Sequence, residues 1–170
     1  MLETRIAKIT MVACLAAFAC LVTFDNLTDY DTNFEFVRHV LGIDTTFPGN
    51  ALLYRRVTSA ALWNAAYCLI IFGEGLTGLT LASAAIALLR QLRSGADRFN
   101  RAKRFVSIGA MRLPGMVPRL HGLGGEWFQM WQSPSWNGQE AAFRCYLTIL
   151  AVLIFVHQKD EDFAIRNDEG

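Results

Sequence analysis

VTSAALWNAAYCLIIFGEGLTGLTLASAAIALL, residues 57–89, runs directly into RQLRSGADRFNRAKR, residues 90–104. The first stretch carries one charge, Glu74. The second carries six bases, Arg90, Arg93, Arg98, Arg101, Lys103 and Arg104, against one acid, Asp97. An apolar block of this length is a transmembrane-helix candidate, and cytoplasmic loops next to a span carry an excess of Lys and Arg. The pair therefore describes a polytopic membrane protein whose basic loop, 90–103, is held in the cytoplasm. A continuous helix over 57–89 would be roughly 50 Å long. That exceeds a hydrocarbon core of ~30 Å, so part of it must project, tilt or break.

The remaining apolar residues also come in blocks. The chain has 170 residues, 53% hydrophobic, with a mean hydropathy of +0.27. Ile9–Phe24 is uncharged and becomes long enough to span once Ile6 and Ala7 join it and Lys8 snorkels to the headgroups. Arg5 and Lys8 place its N-terminus in the cytoplasm. Phe18 and the apolar Leu21-Val22 argue against a cleaved leader ending near Cys20, so an uncleaved first span is expected. Ala141–Val156 is the last span, with Arg144 one turn inside and within i,i+4 reach of Glu140. Between them, Phe105–Met111 begins like a span but meets Arg112, Pro114, Pro118, Arg119 and His121. Each arginine costs about 2.5–3.5 kcal/mol at mid-membrane, and proline removes a ladder donor. The expected fold is all-α: a small bundle of four transmembrane helices, the third degenerate. The spans lie at about 6–24, 61–89, 104–124 and 140–157, with outer-face loops at 25–60 and 125–139.

The loops have character of their own. In 25–60, Phe34, Val37, Val40 and Leu41 recur at helical spacing, predicting a short amphipathic helix lying on the interface. Thr45–Asn50 reads as a turn, with a short helix near Ala51, Tyr54 and Arg55. Trp63 and Tyr67 sit where an outer aromatic belt would lie. In 125–139, Trp127 and Trp131 are four apart and so share a helix face. Together with Trp136 they form an aromatic outer-face surface: an interfacial girdle, or a small pocket or partner surface. Asn137 and Glu140 have capping-box spacing. The tail from Asp160 is expected to fray.

Charge and motifs narrow the function classes. A net charge of +1 gives no field for nucleic acid. The basic loop reads first as a topological anchor and headgroup contact. Cys14, Cys20, Cys68 and Cys145 lie in apolar blocks without C-x-x-C spacing, and act as small hydrophobes. His39, His121 and His157 fall outside the spans or at their ends, which suits neither haem nor a metal, so no cofactor is expected. No G-x-S-x-G or H-E-x-x-H occurs, and no enzyme activity is expected. Glu74, flanked by Gly73 and Gly75 with Gly78 behind, is the candidate intramembrane functional residue. A mid-span carboxylate faces protein or water, while the glycines equally suit a close helix–helix contact.

Several stretches resemble a known family. They are Phe24–Tyr30, Asn33–Val37, Asp44–Pro48, Phe99–Lys103, Gly124–Phe128, Met130–Ser133, Trp136–Gln139 and Ala142–Arg144. These are similar to the bacterial predicted small integral membrane proteins called domain of unknown function 2165, in register over nearly the whole chain. The resemblance implies a four-helix inner-membrane protein and no assigned activity. It lapses over Arg112–His121, where the family has a continuous apolar third helix, and recovers at Gly124. A pair of compensating frameshifts would leave that pattern. The functional expectation is a non-enzymatic accessory or interaction subunit, with the lipid bilayer and a membrane-protein partner or a second copy as its contacts. The alternative is a small oligomeric transporter or proton conductor using Glu74.

Overall fold

The computed structural model describes residues 2–109 and 124–162. Every regular element among them is helical: α1 Leu2–Thr28, α2 Tyr30–Gly42, α3 Ala60–Arg90, α4 Ala96–Ser107 and α5 Gln139–His157, with single 3-10 turns at Leu53–Arg55 and Met130–Gln132. Three helices, α1, α3 and α5, are long and apolar enough to cross a membrane. The expected third span, 104–124, overlaps the end of α4, and its residues 110–123 lie outside the described residues. Helix also replaces most of the expected basic loop, since α4 starts at Ala96.

The long antiparallel pair α1/α3 forms the frame. Its close approach is set by glycine. A Cβ on Gly78 would lie 2.6 Å from Cys20 Sγ and 3.1 Å from the Cys20 backbone nitrogen, and one on Gly75 would lie 3.3 Å from Thr23 Cγ2. Without side chains there, the backbones meet as small-residue seams allow in lipid. Val12 and Ala16 of α1, Leu81, Ala84 and Leu88 of α3, Phe99 and Val106 of α4, and Val152 and Val156 of α5 make one buried cluster. The cluster sits toward the end of the bundle where α1 begins and α3 and α5 finish. The opposite faces, including Leu21, Phe24, Phe72, Leu79, Phe143 and Ile154, stay exposed, as lipid-facing residues do.

At the other end, α2 folds back onto the first turns of α3. The apolar face read from the sequence is present, but protein covers it rather than an interface. Val37, Tyr67 and Ile71 are buried together, and Tyr30 and Phe34 pack on the Tyr67 ring. Tyr67 is therefore no belt residue; its hydroxyl donates to the Asn26 carbonyl and Asn26 Oδ1. Trp63 donates Nε1–H to the Val57 carbonyl at 2.9 Å. Val57 N–H in turn donates to Leu41 O at 2.8 Å, closing the loop between α2 and α3.

Candidate functional site

Two polar assemblies occupy the two ends of the bundle. At the end where α1 finishes, the loop between α2 and α3 and the loop before α5 knit into one cap. Thr45 Oγ1 and Ser133 Oγ are 2.8 Å apart. Gln132 Oε1 accepts from Phe47 N–H at 3.2 Å and Asn50 Nδ2 at 3.4 Å. The Trp136 indole stacks on the His39 imidazole, centroids 4.6 Å apart, with Phe36 at its edge. Ser133 Oγ accepts the Trp136 backbone N–H, which fixes the loop behind the indole. Gly138 makes room, because a Cβ there would come within 2.9 Å of Phe36 Cζ. A cleft of ≈ 420 Å³ opens on this cap, walled by Thr45 to Pro48 on one side and Trp131 to Pro134 on the other.

The three tryptophans do not share a helix. Gln129 adopts a left-handed backbone, φ 53°, and breaks the helical course between Trp127 and Trp131. Trp127 consequently faces the Arg55 guanidinium, 4.3 Å from ring centroid to Cζ, while Trp131 meets Phe47 edge-on at 6.1 Å. Trp136 goes to His39. Gln129 and Ile43, φ 49°, are the only non-glycine residues with positive φ among the described residues, and both lie in the cap. Strained backbone of this kind is held only where the surroundings over-determine it, and it concentrates at functional sites. His39 is half-buried in this cap. Its Nδ1 lies 2.8 Å from Asp44 Oδ1, and its Nε2 lies 3.5 Å from Glu35 Oε2. The capping box does not form: Gly138 precedes the helix, Asn137 Oδ1 accepts only from Gln139 N–H, and Glu140 pairs with Arg144.

Glu74 lies half-buried on the α1-facing side of α3, and its Oε2 accepts from Asn26 Nδ2 at 2.7 Å. With Tyr67 donating to Asn26, the three side chains form a hydrogen-bonded series running from mid-α3 toward the cap.

The opposite end holds a cluster that sequence reasoning missed. Lys8 does not snorkel; it is buried, with Nζ donating to Asp160 Oδ2 and the Gln158 carbonyl, each at 2.7 Å. Lys103 does not face headgroups either. It turns inward to the same Asp160 carboxylate, to Gln158 O at 2.6 Å and to Asn100 Oδ1 at 2.7 Å. Of the tail expected to fray, residues 163–170 lie outside the described residues, while 158–162 thread between α1 and α4. Asn100 clamps the Asp160 backbone, donating to its carbonyl at 2.8 Å and accepting its N–H at 3.1 Å. Arg5 donates to the carbonyls of Leu92, Ser94 and Glu161. Burial works against the Asp160 charge, but hydrogen bonds from Lys103 and Lys8 and their positive charges outweigh it and hold the carboxyl below its usual range. Burial lowers Lys103, Lys8 adds to that, and Asp160 only partly opposes it. The bases Arg5 and Lys8 near one end of the first span and the acids Asp160 to Asp162 just past the last one were the signal available in the sequence. Arg90, Arg93, Arg98, Arg101 and Arg104 remain exposed around this cluster.

His39 in the cap and His157, which bonds Ser107, lie at opposite ends of the bundle. Among the described residues no group of three or more His, Cys, Asp and Glu gathers as metal ligands would. His121 and the Arg112–His121 interruption lie outside the described residues.

The model of a family described as predicted small integral membrane protein (DUF2165) matches residues 4–159. No curated protein and no solved structure matches the chain.

Proposed function

Because the chain belongs to the DUF2165 family of predicted small integral membrane proteins, we propose that it is a non-enzymatic accessory subunit of a larger complex in the bacterial inner membrane, docking through its aromatic cap. The observation that carries this reading is the cap itself. It is cross-braced by hydrogen bonds between two loops, yet Phe47, Tyr54, Trp127 and Trp131 stay 58%, 75%, 54% and 48% exposed. Aromatic anchors held rigidly on a braced surface are the usual centre of a protein–protein contact. In this reading the chain crosses the membrane four times, with both termini and the basic helix in the cytoplasm. Support comes from Arg5, Lys8, α4 and residues 158–162 meeting at one end. Ser107 lies beside His157 at that end, and Trp127 lies beside Arg55 at the other.

A photo-crosslinker at position 131 tests the docking role. One membrane protein should be trapped, co-purify stoichiometrically in mild detergent, and be lost in the Phe47→Ala variant. Crosslinks to lipid alone, on a protein that purifies by itself, would overturn it. A dual-reporter fusion at the C-terminus should report cytoplasm; a periplasmic signal refutes four crossings. The Glu74–Asn26–Tyr67 series favours a second reading, proton conduction, because ionisable groups inside membranes mark proton relays. Proteoliposome flux that survives Glu74→Gln eliminates it.

A further inference from the structure

Eight bases at this end of the molecule sort into two groups with different fates, and the sorting points to a ligand. Arg5, Lys8 and Lys103 are buried and spent on carbonyls and on Asp160. Arg90, Arg93, Arg98, Arg101 and Arg104 are exposed, with Asp97 the exposed acid among them. No ion pair joins any of these five arginines to a carboxylate among the described residues. On α4 the division is geometric. Ala96, Phe99, Ala102, Lys103 and Val106 form the buried face. Arg98, Arg101 and Arg104 follow one another at i, i+3 and i+6 along the other, spanning about 9 Å. The same exposed face then turns apolar, with Phe105 45% and Ile108 43% exposed.

We propose that this arginine stripe is a binding site for the phosphate headgroups of anionic phospholipids in the leaflet from which α4 enters the bilayer. Charge complementarity names the partner's sign, and guanidinium geometry suits phosphate oxygens. The apolar continuation names its source. A soluble acidic protein or free phosphate would have no use for Phe105 and Ile108 in line with the arginines, whereas a phospholipid presents phosphate and acyl chain in that order. Lys103 takes no part, because its ammonium is committed inside.

The test uses the full chain in nanodiscs of mixed phosphatidylglycerol and phosphatidylcholine, with bound lipid counted by native mass spectrometry. Wild type should retain phosphatidylglycerol preferentially. Arg98→Gln, Arg101→Gln and Arg104→Gln together should reduce that preference by about fivefold per arginine at low salt. Lys103→Gln should lower thermal stability equally in both lipids while leaving the preference intact, which separates the stripe from the buried cluster. Equal lipid ratios on wild type and the triple variant would overturn the proposal. So would inorganic phosphate stabilising the protein in pure phosphatidylcholine as strongly as phosphatidylglycerol does, since the stripe would then be a soluble-anion site.

Discussion

Asp160→Asn is the sharpest perturbation this architecture offers. One carboxylate, 6% exposed, answers two ammoniums, Lys8 at 1% and Lys103 at 5%. Asparagine keeps the shape and leaves the backbone clamp by Asn100 in place, so the change is one of charge. Afterwards Lys8 retains the Gln158 carbonyl, and Lys103 retains that carbonyl and Asn100 Oδ1. Two buried like charges then face each other without an anion. Removing one partner of a buried pair costs about 3–5 kcal/mol, because the remaining charge is left uncompensated. For a chain of this size that is roughly 6–20 °C in thermal midpoint. Glu140→Gln is the internal control. It breaks an ion pair with Arg144 whose side chains are 76% and 75% exposed, worth about 0.3–0.5 kcal/mol. Thermal unfolding in detergent, with C-terminal proteolysis as a second readout, measures both. Replacing Lys8 and Lys103 by Met together with Asp160 by Leu should restore much of the loss, since apolar residues of similar volume often substitute for buried ions. If Asp160→Asn shifted the midpoint no more than Glu140→Gln does, the account of a buried, charge-compensated clamp would be refuted.

Five further outcomes are expected. The depressed Asp160 carboxyl contributes stability that is fully present above the unfolded aspartate value, about 3.9, and is lost as pH falls through the lower folded value. Protease should therefore reach residues 158–162 only in that acid window, and release already at pH 6 would contradict the sign. The lowered Lys103 moves stability in the same direction but in the alkaline range: its charge is a cost at neutral pH that fades as pH rises toward the ordinary lysine value of 10.5. Gly78→Ala should destabilise by about 1–3 kcal/mol, because the new methyl meets Cys20 backbone as well as its sulfur, whereas Gly124→Ala, with nothing within 4 Å, should be nearly neutral in the same unfolding assay. Thr45→Cys with Ser133→Cys should crosslink under oxidant, shown by a non-reducing gel shift; failure would separate the two loops that form the cap. Reading the gene in its two other frames over residues 112–121 should yield an apolar run, and its absence removes the frameshift explanation.

Much of the fold was legible because lipid makes burial a one-dimensional property. A block such as Ile9–Phe24 or Ala141–Val156 must be helical in a bilayer whatever it packs against, since every backbone group has to be satisfied within the segment. The glycines around Glu74 likewise announced a close approach, which Gly78 makes on Cys20. Local spacing failed where the partner was distant in the chain. Trp127 and Trp131 are four apart, but the left-handed Gln129 between them overrides the helix and sends them to different loops. The amphipathic stripe of α2 was visible, but that Tyr67 rather than headgroups would cover it was not.

Charge shows the division most clearly. The sequence by itself determined that the bases crowd beside the membrane, because transferring arginine through hydrocarbon is prohibitive and composition alone records that cost. Only the tertiary structure decided which of them stay in water. Lys103 and Arg104 are neighbours with the same charge, yet a helical step of about 100° turns one to Asp160, more than fifty positions away, and leaves the other on the surface. A lysine's fate there depends on where the chain's far end returns, and no local pattern carries that information.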